Sequence, residues 1–418
     1  MLRFLTAGES HGQALVAIVE GVPAGLAIDF DALTSELRRR QGGYGRGRRM
    51  AIESDHAEPL SGIRRGVTTG GPIALLIPNR DWENWQRTMY VGAEEPADAS
   101  GVDRPAVTRP RPGHADLAGA LKYGHDDIRD VLERASARET AARVAVGSVA
   151  RQLLRHVDAD IASHVTAIGP VSLPDPLGVT FADVRAIGAD TPLHCVDRDL
   201  EQRMIAEIDR ARDAGDTMGG TFEVIAHNVP AGLGSYVQWD RKLDGRLAQA
   251  VMSIPAIKAV GIGRGPAAAS VPGSCLHDEI VPHAGLARPT GVPVDRPTNN
   301  AGGLEGGVTN GEDIRISGYM KPIATLMKPL RSVDLATMTE SPATVERSDV
   351  CAVPAAAVVG EAMVAFVLAD ALIEKFGGDS VEELVANWRA YQERTAKRFA
   401  ARGRRAGGDR RAGTGIDR

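Results

Sequence analysis

Aromatic side chains are scarce in this 418-residue chain, at 4% of its composition, and cysteine is scarcer still, with three in all. A core with so few rings has to be packed from Ala, Val, Leu and Ile. Cys195, Cys275 and Cys351 lie far apart with no CxxC pair, which argues against both a disulfide scaffold and a zinc site and fits a reducing, cytoplasmic setting. A basic excess is also missing. The net charge is −5, so the bulk composition offers nothing to nucleic acid or to an anionic bilayer. No run is long and clean enough for a membrane span: the most apolar, Ala355 to Leu372, is interrupted by Glu361 and Asp370 and reads as a buried helix. At the N-terminus Glu9 and His11 arrive before the apolar core of a signal peptide could form.

Glycine and proline are plentiful, 47 and 24 residues. Strand-like runs occur at Leu2–Thr6, Ala14–Val19, Ile73–Ile77, Phe222–His227 and Asp313–Ser317. Helical spacing predicts helices at Phe30–Arg40, Asp130–His156, Leu200–Ala214, Leu243–Val251, Ala355–Phe376 and Val381–Arg402. Strands and helices do not alternate, and no GxGxxG opens a βαβ unit. The expectation is therefore an α+β fold with antiparallel sheets, one domain over residues 1–402. Residues 403–418, rich in Arg and Gly, read as a disordered tail.

The sharpest anomaly runs from Arg38 to Arg49. Six arginines fall within twelve residues without one acid, in a chain that is acidic overall. Such like charges repel one another, so a bound anion is expected there, and the interspersed glycines let backbone amides approach it. An RNA-contacting patch would bring interleaved aromatics, and only Tyr44 is present. In Arg109 to Asp116, RPRPGHAD, the prolines hold the chain extended, and Gly113 turns it to present His114 beside two guanidiniums, a candidate general acid. Gly8 to Gly12, GESHG, presents His11 at a second turn. The remaining histidines have no comparable flanks and read as ordinary surface or core residues. Gly302 to Gly311 is a glycine-dense loop, Lys321 to Thr325 offers a cation and a hydroxyl, and Asp349 follows Arg347 before the buried helix. On spacing alone Asp349 is equally a helix N-cap. Together these residues describe an enzyme acting on a phosphorylated, carboxylated metabolite.

A succession of motifs goes further: AGESHG, GYGRGRRM, SGIRRGVTTGGPI, RPRPGHAD, LKYG, ERASARETAARVA, GDTMGG, MSIPAIK, HDEI, AGGLEGGVTNG, MKPIATL and ERSDVCAVPAA. In this order, from residue 7 to about 380, they resemble the signatures of the chorismate synthase family. That resemblance implies one α+β domain with helices sandwiched between antiparallel sheets, assembled as a homotetramer. It implies phosphate elimination from 5-enolpyruvylshikimate 3-phosphate with reduced FMN that is not net consumed, the last step of the shikimate pathway. It implies FMN contacts at Arg134, Ala135, Ser136, Pro255, Ala256, Gly306, Lys321, Pro322, Ile323, Ala324, Thr325 and Arg347. Arg40 and Arg46 match positions for anionic ligands, including a nicotinamide-phosphate (NADP) site, and Arg111 and Arg138 are further substrate contacts. His11, His114 and Asp349 match the family's proton-transfer residues, and no metal is implied. Departures stand at Ala259 and Gly261, where a glycine and a glutamate are expected, at Asn300, where arginine is common, and at Ala324, where serine or proline is usual. A flavin-dependent oxidoreductase acting on a phosphorylated metabolite is the alternative. An external flavin reductase is an expected partner.

Overall fold

The computed structural model describes residues 1–47, 55–94, 98–188, 191–283, 290, 292–346 and 348–409. Period-two alternation builds its first sheet. Strands β1 (Arg3–Ala7), β2 (Ala14–Glu20), β3 (Glu58–Ser61) and β4 (Ile73–Pro78) pair antiparallel in the order β1-β2-β4-β3. Leu15, Ala17 and Val19 of β2 and Ile73, Leu75 and Ile77 of β4 turn inward and are at most 2% exposed. Leu5 and Ile18 face outward.

The second sheet contains β5 (Asp160–Ile168), β6 (Val171–Ser172), β7 (Gly220–His227), β8 (Ile257–Ile262) and β9 (Ile314–Met320), antiparallel in the order β8-β9-β7-β5-β6. Its longest strand, β5, escapes the sequence pattern because Ser163, His164 and Thr166 are polar yet buried. Internal partners offset this polarity: Ser163 Oγ donates to Glu361 at 2.6 Å, Thr166 Oγ1 to the Thr221 carbonyl at 3.1 Å, and His164 Nε2 meets Glu223 at 3.1 Å, while His164 Nδ1 has no partner among the described residues. A strand covered on both faces shows no alternation.

The principal helices are α1 (Phe30–Gln41), α2 (Asp116–Tyr123), α3 (Arg129–Arg134), α4 (Thr140–Leu154), α5 (Arg198–Asp213), α6 (Leu243–Met252), α7 (Val353–Phe376) and α8 (Val381–Asp409). Helix α4 packs against β2 and β4 on one side and α7 on the other, and α7 packs against β5, β7 and β9. The layers are thus sheet, helix, helix, sheet, the sandwich expected. Gly147 permits the closest helix approach, since a Cβ there would fall 2.3 Å from that of Ala362. One contiguous apolar cluster runs from Leu2 to Trp388.

The helix interrupted in sequence by Glu361 is a core helix, as expected, and the glutamate is an internal anchor. Glu361 accepts from Arg39 at 2.7 and 2.8 Å and from Arg151 at 2.8 Å. Burial opposes its charge, but these partners, Arg39 foremost, hold its pKa down at about 2. Asp370 likewise accepts from the Leu2 amide and from Arg246.

Two boundaries differ from expectation. The single helix expected over Asp130–His156 is broken: α3 ends at Arg134, Ser136 is extended (φ −66°, ψ 144°), and α4 begins at Thr140. Ser136 caps the short turn that follows by accepting the Arg138 amide. The last helix runs to Asp409, into the stretch expected to be tail, and 410–418 lie outside the described residues.

Candidate active site

The break between α3 and α4 forms one wall of a cavity of about 480 Å³, lined by Arg134, Ala135 and Ser136 on that side and by Ser253 and Pro255 on another. Phe4, Leu5 and Met363 give it apolar surface and Arg134 gives it positive charge, while Arg143 is paired with Glu139 of the same lining at 2.9 Å. Four of the expected flavin contacts thus line one space. From Pro255 the chain leads on to Ala256, held at φ +67°, a left-handed conformation that costs a residue with a Cβ about 1–3 kcal/mol. The Ala256 carbonyl accepts the Lys321 amide at 3.0 Å, and Lys321 Nζ donates to the carbonyl of Gly113. The cavity is therefore joined, through Lys321, to the turn that carries His114. Ala324 lies beside Gly113 and Thr325 Oγ1 accepts from Arg111, so Lys321, Ala324 and Thr325 all abut that turn, while the Ile323 carbonyl accepts from Thr217 Oγ1 instead.

His114 Nδ1 lies 2.5 Å from Asp116 Oδ1. Asp116 is buried, and its other partner is Arg111, whose Nε and amide donate to Oδ2 at 2.8 and 3.0 Å. Burial disfavours the Asp116 charge, but the hydrogen bonds from His114 and Arg111 outweigh it and hold the carboxyl well below the usual carboxylate range. Nδ1 thus meets the Asp116 carboxylate and, at 3.0 Å, Arg111 NH2; the carboxylate favours a proton on that nitrogen, and Nε2 is the ring nitrogen outside both contacts. Arg111, expected as a substrate contact, is bound to Asp116 and to Thr325 Oγ1 at 2.9 Å, so in this structure it braces the histidine turn.

His11 is oriented by the same means. Both oxygens of Glu133 lie 2.9 Å from its Nδ1, and one also accepts the His11 amide. Glu133 belongs to α3 and is 1% exposed. Ser10 Oγ meets Ser136 Oγ at 3.2 Å, which ties the histidine turn to the cavity wall.

The arginines collect beyond Ser136. Arg40 and Arg138, both buried, share Asp55: Arg40 NH2 lies 2.7 Å from Oδ2, and Arg138 NH1 contacts Oδ1. Burial depresses the Arg40 guanidinium; Asp55 opposes this, while the neighbouring charges of Arg138 and Arg46 add to it. Arg40 Nε is buried with no hydrogen-bond partner among the described residues. Arg46 NH1 lies 2.6 Å from Asp349 Oδ2, and Asp349 Oδ1 accepts the Gly47 amide at 2.7 Å. Asp349 is therefore not an N-cap: α7 begins after Ala352 with no side-chain cap. Glu346, three residues earlier, lies 3.7 Å from Arg111, which closes the circuit back to His114.

One expected residue among those described, Gly306, stands outside this network. Gly306 (φ +61°) sits in a hairpin beside Tyr236, at the N-terminal end of α6, whereas Ser253 and Pro255 follow its C-terminal end. Ten residues of helix span about 15 Å, so Gly306 is remote from the cavity of its own chain. Arg347, and with it Arg48 and Arg49 of the arginine cluster, lie outside the described residues. Among the departures, Ala259 and Gly261 lie in β8, Asn300 is tied to Asp278, and only Ala324 touches the His114 turn. Nothing in the sequence pattern marks Asp55 or Glu133 for the site; Asp116 alone carries a signal, two residues after His114 in the same motif.

Clustered guanidiniums, imidazoles oriented by carboxylates and an apolar-walled cavity define an enzyme that binds anionic metabolites and moves protons between them. A profile of the chorismate synthase family matches residues 2–373. The chorismate synthase of Desulforudis audaxviator is 57% identical over 98% of this chain and 100% of its own length, and that of Moorella thermoacetica is 57% identical over 94% and 99%. A crystal structure of a chorismate synthase superposes with a TM-score of 0.75 at 41% identity, covering 95% of this chain and 98% of that one. The chain belongs to the chorismate synthase family. Its activity is the conversion of 5-enolpyruvylshikimate 3-phosphate to chorismate with loss of phosphate, and the oxidoreductase alternative is not favoured.

Proposed function

We propose that this chain carries out the elimination with reduced FMN seated in the cavity between Arg134–Ser136 and Pro255, and with His11, His114 and Asp349 managing protons. The observation that carries the reading is the chain of contacts that links that cavity, from Pro255 through Ala256 and Lys321, to Gly113, the residue before His114. The cavity suits the group: apolar Phe4, Leu5 and Met363 for a flat ring system and Arg134 for a phosphate, with the Arg143–Glu139 pair beside it. When bound, reduced flavin supplies electron density to the breaking C–O bond and takes up the hydrogen lost from C6.

The substrate bears two carboxylates and a phosphate, about −4 in all, and the flavin phosphate adds about −2. Arg40, Arg46 and Arg138, whose charges Asp55 and Asp349 only partly offset, supply part of the compensating charge from positions shielded from water, where it counts for more than on a surface. His11 would donate a proton from Nε2, the nitrogen that Glu133 does not engage, to the departing phosphate. His114, with Nδ1 committed to Asp116, would donate from Nε2 to negative charge in the cavity. Asp349, held at both oxygens, would take up the released proton and pass it on. Arg111 serves as a brace for His114. The tetramer, a cytoplasmic location and an external reductase supplying the flavin complete the reading.

Anaerobic incubation of the protein with substrate and dithionite-reduced FMN tests it. Phosphate and chorismate should appear in equal amounts over many turnovers while the flavin stays reduced. Oxidation of one flavin per product would instead mark a net redox enzyme.

A further inference from the structure

His11 makes a contact that proton donation alone does not require. Its imidazole stacks on the indole of Trp85, ring centroids 3.7 Å apart and planes 17° from parallel. The guanidinium carbon of Arg104 lies 4.0 Å from the centroid of the same indole. Two groups that close to one ring cannot share a face, so Trp85 is sandwiched between His11 and Arg104. The indole is itself pinned, Nε1 donating to Asp81 Oδ2 at 3.0 Å. Just upstream of Asp81, Asn79 is buried; its Nδ2 donates to the carbonyls of Ser10 and Gly12 and its amide to that of Gln13. One segment thus grips the ring of His11 and the backbone on either side of it.

We propose that Trp85 is a positioning residue for the reaction, fixing the plane of the His11 ring while Glu133 fixes its Nδ1. This rests on the reading of His11 as proton donor to the departing phosphate. The Glu133 contact alone leaves the ring able to rock about the line from Nδ1 to the carboxylate, and rocking swings Nε2 sideways. A flat partner in van der Waals contact removes that freedom. An indole face also accepts an imidazolium as readily as a neutral ring, so the stack survives the proton transfer it serves. Arg104, on the far face, keeps the indole from swinging into solvent.

Phe preserves a flat face at position 85, whereas Met preserves bulk without one. Trp85→Met should lower kcat by about 10–100-fold, the scale of a displaced catalytic group, with KM for substrate within about threefold of wild type. Trp85→Phe should stay within about threefold in kcat. In a His11→Ala background, Trp85→Met should cost less than about twofold more, because the two residues act as a unit. Anaerobic kinetics on the full-length protein with reduced FMN, alongside melting temperatures, read all three. Trp85→Met at wild-type kcat, Trp85→Phe as impaired as Trp85→Met, or losses that multiply in the double variant would each overturn the proposal. Wild-type turnover in His11→Ala alone would instead overturn the role of His11 on which it rests.

Discussion

His11→Ala and His114→Ala should each lower turnover on the order of 10²–10⁴-fold while the protein stays folded. In both turns the ring is held at Nδ1 by a buried carboxylate, Glu133 or Asp116, which leaves Nε2 for the proposed proton transfer. Neither ring belongs to the apolar core. Loss of the His114 ring leaves Asp116 paired with Arg111, and loss of the His11 ring leaves Glu133 with the His11 amide and Arg129 nearby. The folding cost should therefore be modest, and the loss should fall on kcat. Anaerobic steady-state kinetics checked against melting temperature separate the two effects. Wild-type-like turnover in both variants would refute the assigned roles.

Asp55→Ala should be the most destabilising single change in the arginine pocket. Asp55 is the carboxylate that Arg40 and Arg138 share, and all three are buried. Burial disfavours its charge, but Arg40 and then Arg138 outweigh this and hold the carboxyl below its ordinary range. Without it two desolvated guanidiniums face each other with Arg46 close by. Removing one partner of a buried ion pair costs about 3–5 kcal/mol, which lowers the melting temperature by several degrees. Millimolar phosphate should restore part of the loss, more than it stabilises the wild type, because an anion can take the place of the missing carboxylate. An unchanged melting temperature would show that the arginines are not electrostatically strained.

The two histidines could be read from sequence because each stands in a short glycine-flanked turn, where local chemistry is set by neighbours. The arginine cluster was legible as a charge anomaly. Their partners were not: Glu133 is 122 residues from His11, and Asp55 is 83 from Arg138, pairings that only the tertiary fold creates. Most helices were legible from spacing, and the exceptions have physical causes. The Asp130–His156 pattern is helical by propensity, yet the chain breaks at Ala135–Ser136, where it lines the cavity. Strand β5 was hidden by Ser163 and His164, polar residues that the buried carboxylates of Glu361 and Glu223 make tolerable. Gly306 lay in an evident glycine-rich loop, but its distance from the cavity depends on the course of α6.

A crystal structure of the protein with oxidised FMN and 5-enolpyruvylshikimate 3-phosphate would measure the central claim most directly. The flavin should lie against Ala135, Ser136 and Pro255, with the substrate phosphate within hydrogen-bonding distance of guanidiniums from the set Arg40, Arg46 and Arg138 and of His11 Nε2. Flavin or substrate bound elsewhere, with those arginines still closed on Asp55 and Asp349 and no anion among them, would contradict it.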